Sequence, residues 1–141
     1  MCTNIDHDAT KKVKDALKKT GTGHAWKIIR ILDNKWVPPF RYLSCHIPYN
    51  KSGVNLASGI FYDPSHLLVA GGAFHCCLTR KIARQIVKQQ DEIWSFKVVK
   101  VIFDEKDFVC VGNMNRIDQD NWRLPYENDS ICVKKFKFAE K

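Results

Sequence analysis

The chain has 141 residues, 45% of them hydrophobic and 27% charged, enough to bury a core without metal or disulfide staples and too apolar for disorder. Its net charge of +8 is uneven, with +6 on residues 1–51, +3 on 52–100 and −1 on 101–141, so a basic front is available to attract anions. No apolar run approaches the roughly 20 residues of a membrane span, and the polar, acidic start Met1-Cys2-Thr3-Asn4-Ile5-Asp6-His7-Asp8 is not a secretory leader.

Those features point to the cytoplasm, without a membrane partner. Cys2, Cys45, Cys76, Cys77, Cys110 and Cys132 are then expected as reduced thiols. Most of them sit in apolar stretches, where free cysteine behaves as a small hydrophobe. The Asn128-Asp129-Ser130 sequon is expected to be idle.

In chain order, Asp8 or Thr10 can cap a first helix running to about Lys19. Val13, Ala16 and Leu17 give it a narrow apolar stripe among five lysines, which predicts a peripheral helix. Gly21-Thr22-Gly23 ends it. Ala25 to Leu32 reads as a strand, followed by a turn at Asp33-Asn34-Lys35. Phe40 to Ile47 is a second strand between prolines, and Val54 to Tyr62 a weaker one broken by Gly59.

Gly71-Gly72 predicts a tight bend before a short strand over Ala73 to Leu78, a Thr79 cap and an amphipathic helix to Lys88. Glu92 to Phe103 is the longest strand signal and is expected to be central. Phe108 to Val111, Trp122 to Tyr126 and Ser130 to Phe138 complete the strands. A helix, then strands with one inserted helix, predicts an α+β fold. The expected form is a single mixed or antiparallel twisted sheet, with the inserted helix packed on it and the N-terminal helix at its periphery. Residues 1–23 form the basic helix and linker, and 24–141 a single α+β domain.

The segment from Gly71 to Lys88 carries the candidate site. Ile82, Ala83, Ile86 and Val87 form the buried face of its helix, while Arg80, Arg84 and Lys88 recur every four residues on the other. Three cations one turn apart can track phosphates, and Thr79 opens a helix whose free N–H groups favour anions. The ordinary alternative is a solvated face on a sheet-packed helix. His75 is either a buried neutral histidine or a ligand contact at the strand end. Lys27 and Arg30, on the Ala25 strand, are supporting cations.

Several chemistries fail on spacing. His75-Cys76 lacks the arginine of a His-Cys-x5-Arg phosphatase loop, because Ile82 stands there. Cys45-His46 and His75-Cys76-Cys77 hold zinc-ligand types without paired knuckles, so no metal and no cofactor are expected. No Gly-x4-Gly-Lys phosphate loop occurs. A Cys45 nucleophile has no local signature. Tyr42, Tyr49, Tyr62, Trp36 and Trp122, interleaved with basic residues, are rings able to stack bases and equally suited to a core or rim.

Gly71 to Ile86, Lys106 to Gly112 and Ser130 to Lys135 together resemble a pattern in small proteins of bacteriophages and large DNA viruses. There a Gly-rich bend precedes a strand of the type (A/G)-(I/F)-H-x-(F/C), then a threonine and a helix with alanine four residues on. The resemblance spans about residues 24–138, implies a compact α+β module of viral source and assigns no activity. Phe74-His75 and Thr79 to Ala83 are also loosely similar to the nicotinamide-pocket strand and helix of ADP-ribosyltransferase-like folds. That likeness implies a role for His24 or Arg30 on the first strand and for Glu127 as the late acid, none of them in a recognisable motif.

The resulting expectation is a binding module for a phosphate-bearing ligand, a nucleotide or nucleic acid, held by His75, Thr79, Arg80, Arg84, Lys88, Lys27 and Arg30. The alternatives are a module that binds a host or viral protein, and an ADP-ribosyltransferase-like enzyme. No set of catalytic residues is legible.

Overall fold

The computed structural model describes residues 2–38, 48–57, 61–63, 68–70, 73–89, 95–115 and 128–139. The expected Gly71-Gly72 bend and the strands over Phe40 to Ile47 and Trp122 to Tyr126 lie outside these residues, as do Cys45, His46 and Glu127.

Two helices stand among the strands: α1 (His7–Thr20) and α2 (Arg80–Lys88). The first half of the chain supplies β1 (Cys2–Ile5), β2 (Thr22–Leu32), β3 (Lys35–Val37), β4 (Val54–Leu56), β5 (Phe61–Asp63) and β6 (Leu68–Ala70). The second half supplies β7 (Phe74–Cys77), β8 (Phe96–Asp104), β9 (Phe108–Asn115), β10 (Ser130–Val133) and β11 (Lys135–Phe138). All join one sheet in the order β4-β11-β8-β2-β7-β10-β9-β1-β6-β5, with β3 paired to β2. Every described pairing is antiparallel. The fold is therefore α+β with a single sheet.

The alternation of side chains along strands distributes the core over both faces of the sheet, with a smaller cluster of Ile5, Ala73, Cys110 and Cys132 beside the two larger ones. Ala25, Ile29, Cys76, Val99, Val101, Phe103, Val133, Phe136 and Phe138 face one side, where Leu17 of α1 joins them. Ile28 and Cys77 face the other side and pack against Ile82, Ala83 and Ile86 of α2. One helix thus lies on each face. The long strand β8 is interior, as its sequence predicts. Its apolar character on both faces is only partial, because Ile102 is 42% exposed beyond the reach of α2.

Local chemistry fixes the helix ends. Asp6, rather than Asp8 or Thr10, caps α1: its carboxylate accepts from the Ala9 N–H at 3.0 Å. That bond, reinforced by one from Asn128, holds the Asp6 carboxyl below its ordinary range. Gly21 closes the helix at φ +79 and donates to the Leu17 carbonyl at 2.7 Å, a left-handed cap that a side chain would strain. Asp33 and Asn34, both at positive φ, make the two-residue hairpin turn between β2 and β3.

Only Leu17 of α1 is buried, yet the helix is tied to the sheet. The chain leaves β1 after Ile5, so β9 loses its neighbour beyond Gly112. The Asp6 N–H donates to the Val111 carbonyl at 2.9 Å, and the Thr10 hydroxyl accepts from the Val111 N–H at 3.0 Å. Residues 1–23 are thereby joined by hydrogen bonds to strands that come late in the chain. Thr10→Val keeps the shape and removes the hydroxyl, leaving the Val111 N–H without its acceptor. It is expected to cost about 1–3 kcal/mol, seen as a lower urea midpoint with an unchanged m-value.

Candidate functional site

Thr79 caps α2, its hydroxyl accepting from the Ile82 N–H at 3.2 Å. Ile82, Ala83 and Ile86 are then driven into the sheet, and Arg80, Lys81, Arg84 and Lys88 are left exposed. The sequence of α2 contains no acid. Arg80 lies over the ring of Trp26, guanidinium carbon 5.6 Å from its centroid. This contact links the first turn of α2 to β2.

The other expected site residues part company. Arg30 is on the same side of the sheet as α2 but only 8% exposed, opposite Val37 in the ladder. Lys27 faces the other side and is 6% exposed. Its ammonium donates to the His75 carbonyl at 2.9 Å and lies 5.5 Å from the Tyr49 ring centroid and 5.8 Å from that of Phe74. Burial works against this charge, and the neighbouring Tyr49 and Cys76 side chains outweigh it, holding Lys27 above the usual lysine range. The ammonium is solvated by the protein itself, a structural role, and it does not join the α2 cations. Odd and even positions of one strand point to opposite faces, so Lys27 and Arg30 cannot both serve a surface site.

His75 is half-buried, with Nδ1 3.1 Å from the Ala73 carbonyl oxygen. It stands opposite Cys132, which in turn stands opposite Cys110. Strand pairing thus sets an imidazole and two thiols in one row across β7, β10 and β9. Hydrogen bonding to Cys132 lowers Cys110 against the effect of burial, whereas the same bond and burial push Cys132 up. Among the described residues no group of three His, Cys, Asp or Glu side chains is arranged to hold a metal ion, and Cys76, Cys77, Cys110 and Cys132 are free thiols.

Beyond the first turn of α2, no helix among the described residues covers the sheet. The ladder places Val54, Lys137, Ile102 and His24 side by side across β4, β11, β8 and β2. Lys100 stands beside Trp26 in the adjacent row, and Lys135 beside Leu56 at the edge. Val54 is 40% exposed and Leu56 70%. In the sequence, the alternation of Phe136 and Phe138 with Lys135 and Lys137 signals an exposed lysine row. It takes the pairing to bring that row beside Ile102 and Trp26.

Comparison with protein-family models, with curated proteins and with solved structures finds no match. Among the described residues, no helix is long and apolar enough to cross a membrane.

Proposed function

We propose that this protein binds a phosphate-bearing ligand, a nucleotide or nucleic acid, on the sheet face that carries α2. The observation that supports this reading most is the helix itself. Arg80, Arg84 and Lys88 follow one exposed stripe, no acid interrupts it, and Arg80 is steadied against Trp26. Such a stripe meets a run of phosphates without neutralising itself first. Thr79 borders the stripe, whereas Lys27 and Arg30 are buried and His75 is half-buried in β7.

Labelled oligonucleotides and nucleotides, titrated at several salt concentrations, test the reading. On duplex DNA the plot of log affinity against log salt is expected to flatten by about 2.7 when Arg80, Arg84 and Lys88 are all replaced by alanine, about 0.9 for each phosphate that is no longer neutralised. The fold should be unaffected, since exposed substitutions usually change stability by less than ~0.5 kcal/mol. Salt-insensitive binding, or no binding across the set, would falsify the proposal. Capture of a single stoichiometric protein partner, retained by the triple variant, would replace it with a protein-interaction module.

A further inference from the structure

The rows beside α2, with Val54, Leu56 and Ile102 exposed, form a surface of a different kind from the helix. Lys100, Lys135 and Lys137 come from β8 and β11, and the rows between them hold the aliphatic side chains Ile102 and Val54. Val54 and Ile102, 40% and 42% exposed, lie in the same row on either side of Lys137. His24 ends that row, and Trp26 with Arg80 above it closes the strip on the α2 side. Four strands at about 4.8 Å spacing make the strip about 14 Å wide between the outer strand axes.

We infer that this strip is a binding site for single-stranded nucleic acid, with Lys100, Lys135 and Lys137 on phosphates and Ile102, Val54 and the Trp26–Arg80 pair against base faces. The inference rests on the phosphate-binding reading and names the ligand for the surface next to α2. Lys100, Lys135 and Lys137 outnumber the one carboxylate that β8 adds to this face, Asp104 opposite Thr22, and the net positive charge selects a polyanion. The exposed apolar groups between the lysines select its form. A duplex turns its phosphates outward and keeps its base faces stacked inside, so on a flat strip it would leave Ile102 and Val54 with nothing apolar to cover them. A single strand presents phosphates and unstacked base faces together, the combination that non-sequence-specific single-strand sites use. Val54 and Leu56 neighbour each other on β4, and Lys137 separates them from Ile102, so the apolar patch is narrow and cationic in its middle, which gives a lipid bilayer little continuous apolar face to receive.

The full chain is titrated with a labelled mixed-sequence single strand, with the matching duplex, and with vesicles of phosphatidylserine and phosphatidylcholine. The single strand is expected to bind more tightly than the duplex. Replacing Lys100 and Lys137 by alanine is expected to flatten the single-strand salt slope by about 1.4, roughly 0.7 for each lysine removed. Ile102→Val removes one methylene and is expected to weaken the single strand by up to about fourfold, with the salt slope unchanged. Both variants should keep the wild-type thermal midpoint, and both should leave duplex binding through α2 in place.

Equal binding of single strand and duplex, with the strip variants silent and the α2 triple variant weakened, overturns this inference and spares the phosphate-binding reading. Undiminished binding by the α2 triple variant overturns that reading instead. Vesicle binding that disappears with Lys100 and Lys137 overturns the nucleic-acid assignment in favour of an anionic membrane surface.

Discussion

Phe136→Ala is expected to destabilise the protein by about 3–5 kcal/mol, the range for removing a fully buried ring. Phe136 is 1% exposed and sits at the centre of an aromatic cluster on the α1 side of the sheet. Its centroid lies 4.8 Å from that of Phe74, 5.1 Å from Phe138 and 5.9 Å from Tyr49, all edge-on. Edge-to-face pairs of this kind add to simple burial. Two of these rings, Tyr49 and Phe74, also flank the Lys27 ammonium, so the loss disturbs the contacts that offset the cost of burying that charge. Phe136→Leu retains most of the volume and should cost clearly less. Urea denaturation of the two variants measures the difference. A loss below about 1 kcal/mol for the alanine variant would mean that this cluster is not the centre of the core.

Stability is expected to fall steeply between pH 9 and pH 11. Burial pushes the Cys76 thiol from 9.0 up to about 11, against the pull of the Lys27 charge. Over that interval the unfolded chain has lost this proton and the folded chain keeps it. Raising the pH therefore favours the unfolded state, by about 1.4 kcal/mol for each pH unit and about 2.7 kcal/mol across the window. Cys132, also raised, acts in the same direction. Lys27, raised as well, joins it above the ordinary lysine range, because the folded state again holds the proton longer. The stability contributed by these groups is fully present below pH 9. Cys76→Ala should lower stability at pH 8 by the cost of a small cavity and flatten its decline above pH 9. An unchanged decline in this variant would assign the alkaline loss to other groups.

Much of the local structure is legible in residue patterns. The 3.6-residue spacing of Ile82, Ala83, Ile86 and Val87, with Thr79 in front, marks α2 and its cap. The apolar runs over Ala25 to Leu32 and Glu92 to Phe103 mark the two strands, β2 and β8, that pair along nine positions. The short strand β1 and the Asp6 cap have no such signal, since Cys2 to Ile5 is too short for a pattern and becomes a strand only because β6 and β9 flank it. The stretch from Ser130 to Phe138 reads as one strand and is two, β10 and β11. They part at Lys134, with a register shift at Cys132 and Val133. Hydrophobic alternation alone does not mark that bulge.

By itself, the sequence determined the α+β class, the two helices, the amphipathic face of α2 and the positions of its cations, because each follows from side-chain periodicity within a few neighbouring residues. Tertiary structure decided which cations share a surface. Lys27 and Arg30 look in sequence like partners of Arg80, but pairing of β2 with β7 and β8 turns Lys27 into the α1-side core and buries Arg30 beside β3. The strip of Val54, Lys137, Ile102 and His24 draws on both ends of the chain and is visible in none of its segments. Side-chain alternation is set within one strand, whereas the row a residue joins is set by the register of strands distant in sequence, and only the folded sheet fixes that register.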